Sequence, residues 1–199
     1  MADKYVDIDT LKYMLYDVHK LEDLLDRNRF VDHDKESLDM FLESTKDFAD
    51  RELFPYIKEM DEKPAYHKDG KVYVHSQVET MMKKGGELGF ISASFDYDIG
   101  GMQIPLMAHT AATYILDAAN NHLPGYAGLT QGAAELIIHF ASKNLVEAYV
   151  PDMLSGNWGG TMCLTEPQAG SSLSDIVTKA TPTENGYHKI SGQKIFISG

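Results

Sequence analysis

The chain has 199 residues, 43% hydrophobic and 24% charged; that is long enough for one domain with a full core and the beginning of a second, and its composition excludes the disordered, collagenous and disulfide-scaffold classes. Eighteen basic against thirty acidic residues leave a net charge of −12, which opposes the counterion release that DNA and RNA binding rely on, so no nucleic-acid partner is expected and any phosphate must be held by local N–H groups. Cys163 stands alone, which permits no intrachain disulfide, and neither a signal-like start nor a bilayer-long apolar run occurs, so a soluble cytoplasmic protein with no membrane role is expected.

Leu11, Met14, Val18, Leu21 and Leu25 alternate at steps of three and four, which predicts one helix over about 8–25, packed on a neighbour or a subunit interface rather than forming a coiled coil. Leu38, Phe41, Leu42, Thr45, Phe48, Ala49, Leu53 and Tyr56 mark a second helix that Pro55 ends or kinks. Ser76 and Glu79 have capping-box spacing and predict a third helix starting near Gln77, with Gly85, Gly86 and Gly89 weakening its end. Gly100-Gly101 suits a turn before a helix that carries Pro105 in its first turn and runs to about Ala119. The run 126–141, with Ala127, Leu129, Ala133, Ala134, Leu136, Ile137 and Ile138, is apolar almost all round and reads as a buried central helix. A last helix covers 144–154. Short runs at 158–164, 176–180, 187–190 and 194–198, separated by Gly186, Gly192 and polar residues, predict antiparallel strands beyond a boundary near Gly156.

Searches for common chemistries are mostly empty. None of the histidines forms a His-x-x-x-His pair and Cys163 has no second cysteine, so no metal site is expected. The nucleophile elbow, the P-loop and the dinucleotide fingerprint are missing. Asp96-x-Asp98-x-Gly100 begins like a calcium loop, but Met107 stands where the bidentate glutamate belongs, and the segment reads as a turn.

One constellation carries chemistry. Met162-Cys163-Leu164-Thr165 leads through Glu166-Pro167 into Ala169-Gly170-Ser171-Ser172, a small-residue loop whose N–H groups can approach a pyrophosphate closely. Leu164 and Thr165 offer main-chain N–H groups, and Thr165 a hydroxyl, to a planar heterocycle, while Ile195-Phe196-Ile197-Ser198 adds an aromatic face and a second hydroxyl. The plainer reading makes these ordinary strand and turn residues, with Glu166 a surface acid and Cys163 a buried small hydrophobe. Short Gly/Ser loops are common, and composition alone favours that plainer reading.

Residue type, order and spacing reverse the balance. Thr165-Glu166-Pro167-Gln168-Ala169-Gly170-Ser171, Thr178-Lys179-Ala180 and Tyr187-His188-Lys189-Ile190-Ser191-Gly192-Gln193-Lys194-Ile195-Phe196-Ile197-Ser198-Gly199 resemble the flavin-binding motifs of the acyl-CoA dehydrogenase family. Glu87-Leu88-Gly89-Phe90, Gly100-Gly101 and the run 149–158 also fit it, so the resemblance covers nearly the whole chain. Asp9-Thr10-Leu11-Lys12-Tyr13-Met14-Leu15-Tyr16-Asp17-Val18, Gln168 and Phe196 are similar to the long bacterial branch with an N-terminal extension, that of 3-methylmercaptopropionyl-CoA and broad-specificity acyl-CoA dehydrogenases.

The resemblance implies a mainly α chain: an extension helix over 1–34, the family's N-terminal helical-bundle domain over 35–156, and the first strands of its middle β-domain over 157–199. It implies an FAD-dependent oxidoreductase of fatty acid metabolism that converts an acyl-CoA thioester to the 2-enoyl-CoA, a glutamate taking the α proton and flavin N5 the β hydride. Carried over by position, Leu164 and Thr165 meet the pyrimidine end of the flavin, and Met162 and Cys163 before them also bind the cofactor. Gly170 and Ser171 meet the pyrophosphate, Ser171 also CoA, and Phe196, Ile197 and Ser198 flank the ring, while the 126–141 helix walls the acyl pocket. Ser172 departs from the family's usual aspartate and Ser198 from its threonine, the second keeping the hydroxyl. The family's catalytic glutamate lies in a C-terminal domain beyond these residues, so the expectation is a truncated chain, inactive alone, with exposed strand edges that favour a homo-oligomer. An electron-transfer flavoprotein is the implied acceptor; an acyl-CoA oxidase or nitroalkane-oxidase relative and a non-catalytic helical module are the alternatives.

Overall fold

The computed structural model describes residues 5–198; residues 1–4 of the extension and Gly199 of the last motif lie outside the described residues. The chain is mainly helical and divides into two units, one up to Gly160 and the other from Thr161.

In the first unit, α1 (Ile8–Tyr13) starts on Asp7, whose carboxylate accepts from Thr10 N at 2.9 Å. The single helix expected over 8–25 does not form. A π-helical turn at Met14–Val18 follows, Lys20 takes a left-handed φ of 53°, and only then does α2 (Glu22–Leu25) begin. The wider turn rotates the apolar stripe, so Leu15, Tyr16 and Leu21 are buried while Met14 and Val18 face outward. Polar and aromatic contacts add to that burial: Tyr16 Oη donates to Asp39 at 2.8 Å, Lys12 pairs with Glu43 at 2.7 Å, and the Lys35 ammonium lies 3.3 Å from the Tyr16 ring centroid.

The second predicted helix is α3 (Lys35–Phe48), opened by a capping box in which Asp34 accepts from Ser37 N at 2.7 Å. Leu38, Phe41, Leu42, Thr45, Phe48, Ala49 and Leu53 are buried as their spacing requires. Pro55 acts as expected, through a π-helical turn (Ala49–Leu53), a 3-10 turn (Phe54–Tyr56) and then α4 (Ile57–Glu62). Ile57 N–H donates to Phe54 there, and the Leu53 carbonyl accepts from the buried Asn120 Nδ2 at 3.0 Å, with Asn120 Oδ1 accepting from His122 N at 3.2 Å. Asn120→Leu is expected to destabilise the unit by about 2 kcal/mol in urea titrations, because two backbone groups lose a buried partner.

A hairpin of β1 (Tyr66–Lys68) and β2 (Lys71–Tyr73) turns on Asp69 and Gly70, both with positive φ. Asp69-Gly70 is the local sequence signal for this hairpin. Next, α5 (Gln77–Glu87) begins where expected, but not by the Ser76–Glu79 box. Ser76 is already helical in φ and ψ, so its hydroxyl cannot cap; Gln77 N donates instead to His75 Nδ1 at 3.1 Å, and Glu79 pairs with Lys83 at 2.6 Å. The helix stops cleanly on Gly89, at φ 78°, where Phe90 N bonds Gly85 O at 2.8 Å and Gly89 N bonds Gly86 O at 3.0 Å, the Schellman arrangement.

The remaining helices are α6 (Leu106–Asn120), α7 (Pro124–Phe140) and α8 (Lys143–Leu154), close to their predicted bounds. α3 packs on α6, and α7 on both α5 and α8, around one core that includes Leu38, Leu42, Met81, Ile91, Ile115 and Val150. The expectation of a buried α7 is corrected. Pro124, Ala127, Thr130 and Ala134 face the core, whereas Leu136 is 55% and Phe140 84% exposed, and a Cβ at Gly125, Gly128 or Gly132 would meet nothing. One face of this helix is open and apolar.

In the second unit, β3 (Lys179–Pro182) and β4 (His188–Ser191) pair antiparallel, Lys179 opposite Ser191 and Pro182 opposite His188. Both strands are exposed along their length. The strands expected at 158–164 and 194–198 do not form regular ladders, for a reason that the site geometry makes plain.

Candidate cofactor site

The site lies wholly in the second unit. The chain runs from Thr161 to Thr165, then reverses through Glu166-Pro167-Gln168-Ala169, where Glu166 N donates to Ala169 O at 2.8 Å and Ala169 N to Glu166 O at 3.1 Å. Proline suits the second position of such a turn. The 194–198 segment comes back beside the first: Ile195 N donates to Thr165 O at 3.0 Å, and the Thr161 hydroxyl donates to Ser198 O. Pairing 161 with 198 and 165 with 195 makes the two segments antiparallel. Met162, Cys163, Leu164 and Thr165 therefore stand alongside Phe196, Ile197 and Ser198, the juxtaposition expected of two widely separated motifs. A single backbone hydrogen bond links the segments, and Phe196 has a φ of 55°, which interrupts an extended ladder. Side chains supply the other ties.

Two readings of individual residues are corrected. Glu166 is no surface acid; it is 2% exposed. Its carboxylate accepts from Gln168 Nε2 at 2.7 Å, Val177 N at 2.8 Å, Thr178 N at 3.0 Å and Lys194 Nζ at 2.9 Å. The Thr178 hydroxyl, the Lys194 ammonium and the Val177 N–H hold its carboxyl well below the usual carboxylate range, although the buried Thr178 hydroxyl completes no hydrogen bond of good geometry. Glu166 is thus favoured as the carboxylate. Cys163 is exposed rather than buried. Gln168, Thr178 and Lys194 stand in the sequence motifs, but their pairing with Glu166 carries no sequence signal, since Thr178 and Lys194 reach it from 12 and 28 residues away.

The residues left facing solvent fit a flavin. The Leu164 and Thr165 carbonyls are occupied, by Lys194 Nζ at 2.9 Å and Ile195 N at 3.0 Å, whereas the N–H groups of both residues and the Thr165 hydroxyl have no partner among the described residues. Three unspent donors on one short stretch match the acceptor-rich edge of a planar heterocycle. Gly170 and Ser171 are exposed, and a Cβ at Gly170 would meet open space, so a phosphate can come close to the backbone. The Phe196 ring is 89% exposed, held out by a left-handed backbone that costs an aromatic residue of order 1 kcal/mol or more, a strain typical of ligand-contacting positions. Among the described residues no three His, Cys, Asp or Glu side chains converge as metal ligands, and no described helix is long and apolar enough to cross a membrane. A cavity of about 750 Å³ belongs to the helical unit, between α1 and α6, and is lined by Leu11, Met14, Leu15 and Met107 among others, none of them from these motifs.

Comparison with known proteins places the chain in a family. The family model for the N-terminal domain of acyl-CoA dehydrogenase matches residues 35–157. A 3-methylmercaptopropionyl-CoA dehydrogenase of Ruegeria pomeroyi is 33% identical over 157 residues, covering 79% of this chain and 27% of that relative. The structure of butyryl-CoA dehydrogenase from Megasphaera elsdenii aligns with a TM-score of 0.69 at 25% identity, over 83% of this chain and 41% of that one. A glutaryl-CoA dehydrogenase from Mycobacterium smegmatis, in complex with FADH2, shares the fold at a TM-score of 0.69 and 19% identity, over 87% of this chain and 41% of its own. The chain spans well under half the length of each of these proteins. With the family model matching more than half of its residues, the chain belongs to the acyl-CoA dehydrogenase family.

Proposed function

We propose that this protein binds FAD and serves the α,β-dehydrogenation of an acyl-CoA thioester to the 2-enoyl-CoA. The observation that carries the reading is the set of unspent donors at Leu164 and Thr165 beside the exposed Phe196 ring, in a protein whose net charge of −12 gives a phosphate-bearing cofactor no general attraction. FAD, when bound, supplies the acceptor for the β hydride. Leu164 and Thr165 hold the pyrimidine edge, with Met162 and Cys163 on the same segment. Gly170 and Ser171 present N–H groups to the pyrophosphate, Ser171 also facing CoA, and Phe196, Ile197 and Ser198 flank the ring.

No catalytic residue is assigned among residues 5–198, because Glu166, the carboxylate nearest these motifs in sequence, is buried and bonded to four donors. The open apolar face of α7 is suited to an acyl chain. Family membership further supports an electron-transfer flavoprotein as acceptor, a homo-oligomer, and a division into an extension over 1–34, a helical domain over 35–156 and a β-domain beginning at 157.

Titration of the chain with FAD, followed by flavin fluorescence, tests the reading. Saturable binding is expected, with Thr165→Ala weakening it by about 1 kcal/mol, roughly fivefold, for one lost hydroxyl donor. No saturable binding, or equal affinity in the variant, would contradict the assignment.

A further inference from the structure

The two segments that carry the proposed cofactor contacts are joined by a buried ion pair. The Glu166 side chain is fully enclosed and Lys194 is 21% exposed, at 2.9 Å from each other. Stability alone gives a weak reason for such a pair, since apolar residues of the same shape often stabilise as well or better. Its geometry gives another. Lys194 spends a second N–H on the Leu164 carbonyl at 2.9 Å, and its neighbour Ile195 donates to the Thr165 carbonyl at 3.0 Å. In a trans peptide the carbonyl and the following N–H share one plane and point in opposite directions. Whatever holds the Leu164 carbonyl therefore sets the direction of the Thr165 N–H.

We propose that Glu166 and Lys194 are positioning residues for the cofactor: Glu166 fixes the Lys194 ammonium, and Lys194, by holding the Leu164 carbonyl, aims the Thr165 N–H at the flavin. The inference rests on the proposed FAD site. The remaining hydrogen bonds to Glu166 fit this role, because Gln168 and Val177 hold its Oε2 and the Thr178 N–H holds its Oε1, which fixes the oxygen that Lys194 also grips. An ammonium with several donors reaches a carboxylate and a carbonyl together, which no apolar side chain does.

The test compares the unsubstituted chain with Lys194→Met and Lys194→Arg, titrated separately with FAD, riboflavin and ADP, while hydrogen exchange reads the Ile195, Thr178 and Lys189 amides. Lys194→Met is expected to weaken FAD and riboflavin about tenfold, the equivalent of ~1.4 kcal/mol, to leave ADP unchanged, and to speed exchange at Ile195 and Thr178 while Lys189, opposite Thr181 in the β3–β4 ladder, keeps its protection. Lys194→Arg, which keeps the charge and several donors, restores most of the flavin affinity. Unchanged FAD affinity in Lys194→Met, or equal losses of FAD and ADP, overturns the proposal, the second outcome marking a merely structural pair. If the unsubstituted chain binds none of the three ligands, the FAD reading fails for this chain; unchanged Ile195 exchange in Lys194→Met would then show independently that the pair does not order these peptides.

Discussion

Gly156→Ala is expected to lower the stability of the helical unit by about 3 kcal/mol or more, and its melting temperature by roughly 6–12 °C. Gly156 follows α8 with a φ of 77°, a conformation that costs an L-residue about 1 kcal/mol by itself. A Cβ there would also overlap the Met82 carbonyl oxygen of α5, a backbone atom that cannot rotate away. The contact is reciprocal, because a Cβ at Gly86 of α5 would overlap the Ser155 carbonyl oxygen at the end of α8. Gly86 carries no positive φ, so Gly86→Ala isolates the steric part from the conformational one. Since both variants force open the same seam, their effects should sum to less than additivity in a double-mutant cycle. Urea unfolding followed by far-UV circular dichroism measures all three, and a loss below ~0.5 kcal/mol for Gly156→Ala would mean that α5 and α8 do not meet so closely.

The second large effect belongs to Phe90, which is 5% exposed. Its ring centroid lies 6.0 Å from Phe41 and 5.3 Å from Phe48, at 61° and 55°, so one side chain fills the gap between two rings of α3. Phe90 reaches that gap because Gly89 ends α5 in a left-handed residue and the following N–H returns to Gly85. Phe90→Ala leaves a cavity between rings that cannot collapse together, with an expected cost of about 4 kcal/mol; Phe90→Leu, which fills most of the space, should cost ~1 kcal/mol. Equal midpoints for the two variants in guanidinium titration would argue against a cavity as the cause.

Much of this molecule can be read from its residue order. The apolar spacing of Leu38, Phe41, Leu42, Thr45 and Phe48 is a property of one helix surface, so it specified α3 and its buried face without reference to any neighbour. The same holds for the bounds of α5, α6 and α8 and for the disruption at Pro55, all of them local events of backbone geometry. Motif order was equally informative about family, because Met162–Thr165 and Phe196–Ser198 carry their donors and ring as residue types, whatever the distance between them.

Other features depend on partners far away in sequence. The break at Lys20 accompanies the contacts of Tyr16 and Lys12 with Asp39 and Glu43 on α3, and no helical periodicity within 8–25 contains those partners. Which side of α7 is covered depends on where α5 and α8 lie, so an apolar sequence all round was compatible with either a buried helix or the half-open one that forms. The burial of Glu166 is the sharpest case. A glutamate before a proline reads as a turn acid until the backbone brings Lys194 to it across 28 residues, together with the N–H groups of Val177 and Thr178. Local propensity and residue identity are one-dimensional properties and were settled by the sequence alone; desolvation, charge pairing and the direction of a peptide N–H are properties of three-dimensional surroundings, and only the tertiary structure decided them.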